Sequence, residues 1–241
     1  EMYSRTGEAL SLGMVGLVQA LPTMLLALPA GYLADRYSRV RLTMISLGAM
    51  TATSLALAVL SYTSGSVNLM YLFLLLDASA VMIGRPARSA LIPQIVPKDA
   101  FPNAVTWNTS LMQISGVLGP AIGGVVVAVS VPFAYVLAAA SSLFFIVFLA
   151  AMRIRVDARP AGTVSFAELV AGIRFVWNTR IIFTMITLDL FAVLFGGAVY
   201  LLPIFAQDIL NVGATGFGWL RAAPAMGAFC MALLLIYMSP M

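Results

Sequence analysis

The stretch Gly31-Tyr32-Leu33-Ala34-Asp35-Arg36-Tyr37-Ser38-Arg39-Val40-Arg41 closes one long apolar run, Leu10–Ala34, and leads into another, Leu42–Tyr62. Neither run contains a charged residue, whereas residues 35–41 between them hold one aspartate and three arginines. A hydrocarbon layer about 30 Å thick is crossed by about 20 helical residues, so each run is long enough to span it and the charged turn belongs at its surface. The same reading extends to Leu69–Leu91, Phe101–Val129, Pro132–Met152, Ile181–Phe205 and Phe217–Met238, which makes seven spans. Backbone groups in lipid must be satisfied within the protein, which leaves helices or closed barrels, and these runs lack the period-2 alternation of barrel strands. The expected fold is an all-α membrane protein, a bundle of transmembrane helices.

Composition agrees. Of 241 residues 62% are hydrophobic and 9% are charged, against roughly 45–50% and ~25% in soluble domains. The absence of histidine removes imidazole acid–base catalysis and His-ligated metals. A single cysteine, Cys230, excludes an internal disulfide framework and a thiolate cluster. No enzymatic activity, cofactor or metal is expected. The net charge of +4 sits in short stretches between apolar runs, so it reads as membrane topology and not as nucleic-acid binding.

Those stretches sort by side. Arg36, Arg39 and Arg41 follow span one, Arg85, Arg88 and Lys98 surround the end of span three, and Arg153, Arg155, Arg159, Arg174 and Arg180 separate spans five and six. They alternate correctly to share one side, which the positive-inside rule makes cytoplasmic. The opposite connections, Thr63–Asn68, Ser130–Val131 and Gln207–Thr215, carry no Lys or Arg, and only Arg5 breaks the pattern. The N-terminus is expected outside and the C-terminus inside.

The longest connection divides the chain into residues 1–152 with five spans, a linker at 153–180, and residues 181–241 with two spans. Within the linker, Ser165-Phe166-Ala167-Glu168 fits a capping box. Phe166, Leu169, Val170, Ile173, Val176 and Trp177 follow at helical spacing, giving either an amphipathic helix on the membrane surface or an extension of span six. A start at Glu1 in place of Met, and a last span ending without a tail, lead us to expect a piece of a longer protein. A weak repeat relates Gly16, Gln19, Ala20 and Pro22 of span one to Gly218, Arg221, Ala222 and Pro224 of span seven, an offset of 202 residues. Such an offset suits two parallel-related halves of six helices.

The turn at Gly31–Arg41 resembles the G-x-L-a-D-r-x-G-r-k signature between helices two and three of the major facilitator superfamily, with Ser38 at the second Gly and Val40 at a basic position. In physical terms Gly31 is expected to allow close helix approach, Asp35 to place an anion at a helix end, and Arg36, Arg39 and Arg41 to hold the turn on the cytoplasmic side. Ser115-Gly116-Val117-Leu118-Gly119-Pro120-Ala121-Ile122-Gly123-Gly124 resembles the G-x-x-x-G-P-x-x-G-G motif of that superfamily's antiporters. Pro120 removes a backbone hydrogen bond, and Gly119, Gly123 and Gly124 are expected to admit a close neighbour. Arg85-Pro86-Ala87-Arg88-Ser89-Ala90-Leu91-Ile92-Pro93-Gln94-Ile95-Val96-Pro97 is similar to the end of helix four in the enterobactin-exporter and macrolide-efflux branch, as are Arg221-Ala222-Ala223-Pro224 and Leu188-Asp189-Leu190-Phe191. The resemblance covers helices two to eight of twelve. It implies a rocker-switch secondary transporter in the plasma membrane, of the bacterial inner-membrane type, that exports a drug-, macrolide- or siderophore-like small molecule in exchange for protons. It leaves the oligomeric state open.

Charged groups inside a membrane are costly, which makes Asp77, Asp189 and Arg221 candidates for the substrate or proton pathway. Asp77 lies about 12 Å and Asp189 about 13 Å from the start of its span, near mid-membrane. Gln19, Asn108 and Gln113 are polar positions that either line a cavity or bond between helices. Two other classes fit part of the pattern. A seven-helix receptor matches the span count, although the single lysine, Lys98, lies in a loop and rules out a retinal-type Schiff base. An intramembrane aspartyl protease would need Asp77 and Asp189 to share one site.

Overall fold

The computed structural model describes residues 1–152, 174–196 and 201–238. The described elements are helical: α1 (Met2–Thr6), α2 (Ala9–Arg36), α3 (Arg39–Tyr62), α4 (Val67–Ser89), α5 (Ile92–Ile95), α6 (Phe101–Val129), α7 (Val131–Ala151), α8 (Arg180–Gly196), α9 (Leu202–Ile204) and α10 (Gly213–Met238), with a π-helical turn at Phe205–Ile209. Among the described residues five stretches are long and apolar enough to cross a membrane, namely α2, α3, Val67–Ile95, α6 and α7. The first five expected spans therefore stand.

Of the sixth expected span, Ile181–Phe205, the described residues fall in α8, in the single turn α9 and at the start of the π-helical turn, and 197–200 lie outside the described residues. α8 is described as far as Gly196, and α9 carries a proline at its start. Pro203 has no N–H to give to a preceding turn and fixes its own φ, which suits its place in the first turn of α9. The seventh expected span falls within α10, 26 residues long. The capping box Ser165–Glu168 and most of the linker lie outside the described residues, and 174–178 is helical.

Local sequence explains the boundaries. Gly7 closes α1 in the left-handed conformation, at φ 68°, where a side chain would be strained. Ser130 caps α7 by accepting from the Phe133 amide at 3.3 Å, and Pro132 follows in the first turn, where its missing N–H costs nothing.

α2 packs on α4, α4 on α3 and α3 on α7, while α6 packs on α10 and touches α7 along a shorter stretch. One end of the bundle is held by Val40, Leu91 and Leu149, from the start of α3, the turn just past α4 and the end of α7. The other end is held by Met2, Leu57 and Met70, with Val15, Leu60 and Tyr135 around them. The basic stretches after α2 and around the end of α4 thus share one end, as their spacing along the chain requires.

Arg5, the exception to the charge pattern, stands at the opposite end for a structural reason. Its guanidinium donates to the carbonyls of Leu60 at 3.4 Å, Ser61 at 3.1 Å and Gly65 at 3.0 Å, and pairs with Glu1 at 2.6 Å. The last carbonyls of a helix have no partner within it and carry the negative end of its dipole, so a cation there stabilises the end of α3. Arg5 is a helix cap.

Candidate functional site

Asp77 lies midway along α4, about 15 Å from Val67 at 1.5 Å per residue. It is half-buried and accepts a hydrogen bond from the Thr53 hydroxyl of α3 at 2.8 Å. On its other side is a cavity of about 240 Å³ between α2 and α4, lined by Gln19, Thr23, Asp77 and Arg85 among apolar neighbours. Two helical turns separate Asp77 from Arg85, so the cavity runs from mid-helix towards the basic end. Gln19 and Asp77, singled out separately in the sequence, meet here. Thr53, Thr23 and Arg85 complete the site.

The Thr53 hydroxyl also lies 3.0 Å from the carbonyl of Met50. A hydroxyl has one hydrogen and two lone pairs, so it donates to one of these oxygens at a time. With Asp77 ionised, the hydrogen turns to the carboxylate. With Asp77 protonated, the acid donates to Thr53 and Thr53 donates to Met50. The arrangement satisfies both protonation states by rotation of one bond.

At the basic end, Asp35 and Arg39 form an ion pair at 3.8 Å across the α2–α3 turn. Arg39 also donates to the carbonyl of Ala90, just past α4, at 3.2 Å. Arg36 turns back along α2, donates to the Tyr32 hydroxyl and lies near the ring, 5.8 Å from its centroid. Arg41 is exposed. The close contact expected at Gly31 is not there: an added Cβ would meet nothing within 4 Å. Ala34 and Ala87 make the contact with Leu42 instead, and the tightest α3–α4 approach is at Gly84, whose Cβ would come within 2.1 Å of the Ser46 hydroxyl.

The proline-glycine stretch of α6 behaves similarly. Gly119 and Gly123 face open space, whereas a Cβ on Gly124 would lie 2.8 Å from Gly218 Cα and from the Ala214 carbonyl of α10. The reciprocal Cβ on Gly218 would lie 2.6 Å from the Pro120 carbonyl. Gly124 and Gly218 are the crossing point, and the expected close approach holds for Gly124 alone of the three glycines. Beside the crossing is a cavity of about 580 Å³ between α6, α7 and α10, to which Gly119, Pro120, Gly123 and Arg221 contribute. Gln19 and Arg221, which the 202-residue repeat aligns, therefore each line a cavity.

A family model described as transmembrane secretion effector, of the major facilitator type, matches residues 5–239. The chain belongs to this family. Among its relatives, the Staphyloferrin A transporter of Staphylococcus aureus is 30% identical over 124 residues, 51% of this chain and 31% of the relative. The multidrug efflux pump Tap of Mycobacterium tuberculosis is 27% identical over 204 residues, 78% of this chain and 48% of the relative. Tap of Mycolicibacterium fortuitum is 26% identical over 250 residues, 96% of this chain and 59% of the relative. The chain spans between 31% and 59% of these relatives' length. Membership of the secretion-effector family, with five helices fit to cross a bilayer, makes it a multi-pass membrane protein.

Not every candidate joins this secretion effector's cavities. Asp189 is exposed on α8 and lines neither the Gln19–Asp77 nor the Arg221 cavity. Asp77 bonds to Thr53 and not to Arg221, and Asp77 and Asp189 do not share a site among the described residues, as a carboxylate dyad would require. Gln113 is exposed, and the Asn108 amide donates to the Met112 sulfur one turn on, at 4.0 Å.

Proposed function

We propose that this chain carries the core of a secondary active exporter that moves a small molecule across the membrane by alternating access, driven by protons. Residues 1–152 are the first half, with helices two to six. Residues 153–180 are the cytoplasmic linker, and 181–241 begin the second half with helices seven and eight. The basic end of the bundle faces the cytoplasm, the N-terminal residue lies outside and the C-terminal one inside, and the membrane is the plasma membrane, in bacteria the inner one.

The observation that carries this reading is Asp77, a carboxyl at mid-helix with a polar cavity on one side and the Thr53 hydroxyl on the other. An ionised carboxylate at that depth is disfavoured by several kcal/mol, so such a group is kept for function or held by a partner. Thr53 accommodates both protonation states without movement of the backbone, as a site that loads and releases a proton requires. Gln19 and Arg85 supply neutral and cationic contacts to whatever enters from the basic end. Protonation changes the charge of the α2–α4 cavity by one unit and so biases conformations in which that cavity is open or closed. The Asp35–Arg39 pair and its tie to Ala90 hold the α2–α3 turn against the end of α4, and act as the cytoplasmic lock in the conformation described.

The test is accumulation of ethidium by inside-out vesicles from cells expressing the complete gene. The exporter reading expects uptake on energisation and its collapse with a protonophore. Vesicles no different from those lacking the gene, with ethidium and with every amphipathic anion or cation tried, would count against it.

A further inference from the structure

The cavity between α6, α7 and α10 has a composition that selects its occupant. Its volume, about 580 Å³, is that of a small-molecule site. The walls are glycine, proline, alanine, valine, isoleucine, leucine and phenylalanine with one hydroxyl, that of Ser141, which donates to its own helix at Leu137, and the single charged group on them is Arg221. Among the described residues no carboxylate pairs with that guanidinium and no hydrogen bond uses its five donors. A planar cation left open beside an apolar chamber matches a carboxylate or phosphate joined to a hydrophobic body. The chamber is also empty of side chains where it need not be, since Cβ atoms on Gly119 and Gly123 would meet nothing within 4 Å.

We infer that this cavity binds an amphipathic anion, with the charged head on Arg221 and the apolar body against α6 and α7. Because Arg221 comes from α10 and the apolar wall from α6 and α7, the bound molecule bridges helices of the two halves next to the Gly124–Gly218 crossing. As transport cargo this anion rests on the exporter reading, whereas its binding does not. The same head-and-tail chemistry is offered by a soluble fatty-acid-like molecule and by an anionic phospholipid.

The probe is dodecanoate carrying a photoreactive diazirine, incubated with the protein from the complete gene in phosphatidylcholine nanodiscs, and the labelled residues are mapped by mass spectrometry. Labelling is expected within Ala134–Ser141 and Phe217–Arg221. Arg221→Gln should weaken it at least tenfold, Arg221→Lys should retain most of it, and Gly123→Phe should abolish it by filling a space that no backbone occupies. The neutral dodecanol analogue should label wild type and Arg221→Gln alike. Replacing part of the phosphatidylcholine by phosphatidylglycerol distinguishes the sources: competition identifies a lipid head, and persistence identifies a free anion. Wild-type labelling of both Arg221→Gln and Gly123→Phe, or labelling confined to other helices, overturns the inference. Uphill export without labelling would remove this site and leave the exporter standing, and labelling without export would do the reverse.

Discussion

Gly124 and Gly123 are adjacent in α6, and the same substitution should have opposite consequences at the two positions. In Gly124→Ala the new Cβ is placed 2.8 Å from Gly218 Cα and from the Ala214 carbonyl. Both obstacles are backbone, so no rotamer change relieves the clash, and α6 and α10 must move apart by roughly the shortfall from ordinary contact. Overpacking of this kind costs about 1–3 kcal/mol, while alanine in place of glycine returns about 0.5–1 kcal/mol of helix propensity. The net loss is between about zero and about 2.5 kcal/mol, or up to roughly a 60-fold weaker α6–α10 association. In Gly123→Ala only the propensity gain applies, because its Cβ meets nothing within 4 Å. The assay is SDS unfolding in mixed micelles followed by the fluorescence of Trp219, next to Gly218 in sequence, with Trp107 and Trp177 replaced by Phe. Gly218→Ala should resemble Gly124→Ala, and the double variant should lose less than the sum, since one separation relieves both clashes. Equal stability of Gly124→Ala and Gly123→Ala would refute the crossing.

Arg5→Gln removes the cap on α3 and should lower stability by about 1–2 kcal/mol without changing the pH dependence of transport, as thermal unfolding in detergent and vesicle uptake would check. Asp35→Asn breaks an exposed ion pair worth at most about 1 kcal/mol, so expression should be nearly unchanged while transport falls; loss of expression alone would make the turn a folding element. Thr53→Val removes the hydroxyl that faces Asp77 and should displace the pH midpoint of transport. Thr51→Val, whose hydroxyl bonds only its own helix at Leu47, should leave that midpoint in place.

The first five spans and the shared end of the first two basic stretches were legible because both are one-dimensional signals: apolar length and the positions of arginine. Asp77 and Gln19 stood out for the same reason, as polar groups in apolar runs. Their meeting in one cavity was not legible, since it depends on α2 packing against α4, which hydropathy does not encode. Arg85 was read as topology because its charge fits the basic end, yet its side chain lines that cavity. Thr53 gave no signal, as hydroxyls are common in membrane helices and usually bond their own backbone. Glycines mark possible close approach without saying which face is approached. Gly31, Gly119 and Gly123 were expected to pack and face open space, and Gly84 and Gly218 carry contacts that spacing alone did not reveal. Arg5 counted as a topological exception until its three carbonyl partners showed a cap.

The central claim, that Asp77 couples protons to export, is tested most directly by Asp77→Asn in proteoliposomes, scored for two activities in one preparation. The amide holds the site in a permanently neutral form and still reaches Thr53. The account predicts that an imposed pH gradient no longer drives accumulation of substrate, while exchange of internal for external substrate without a gradient continues. Uphill accumulation by the variant with wild-type pH dependence would contradict it.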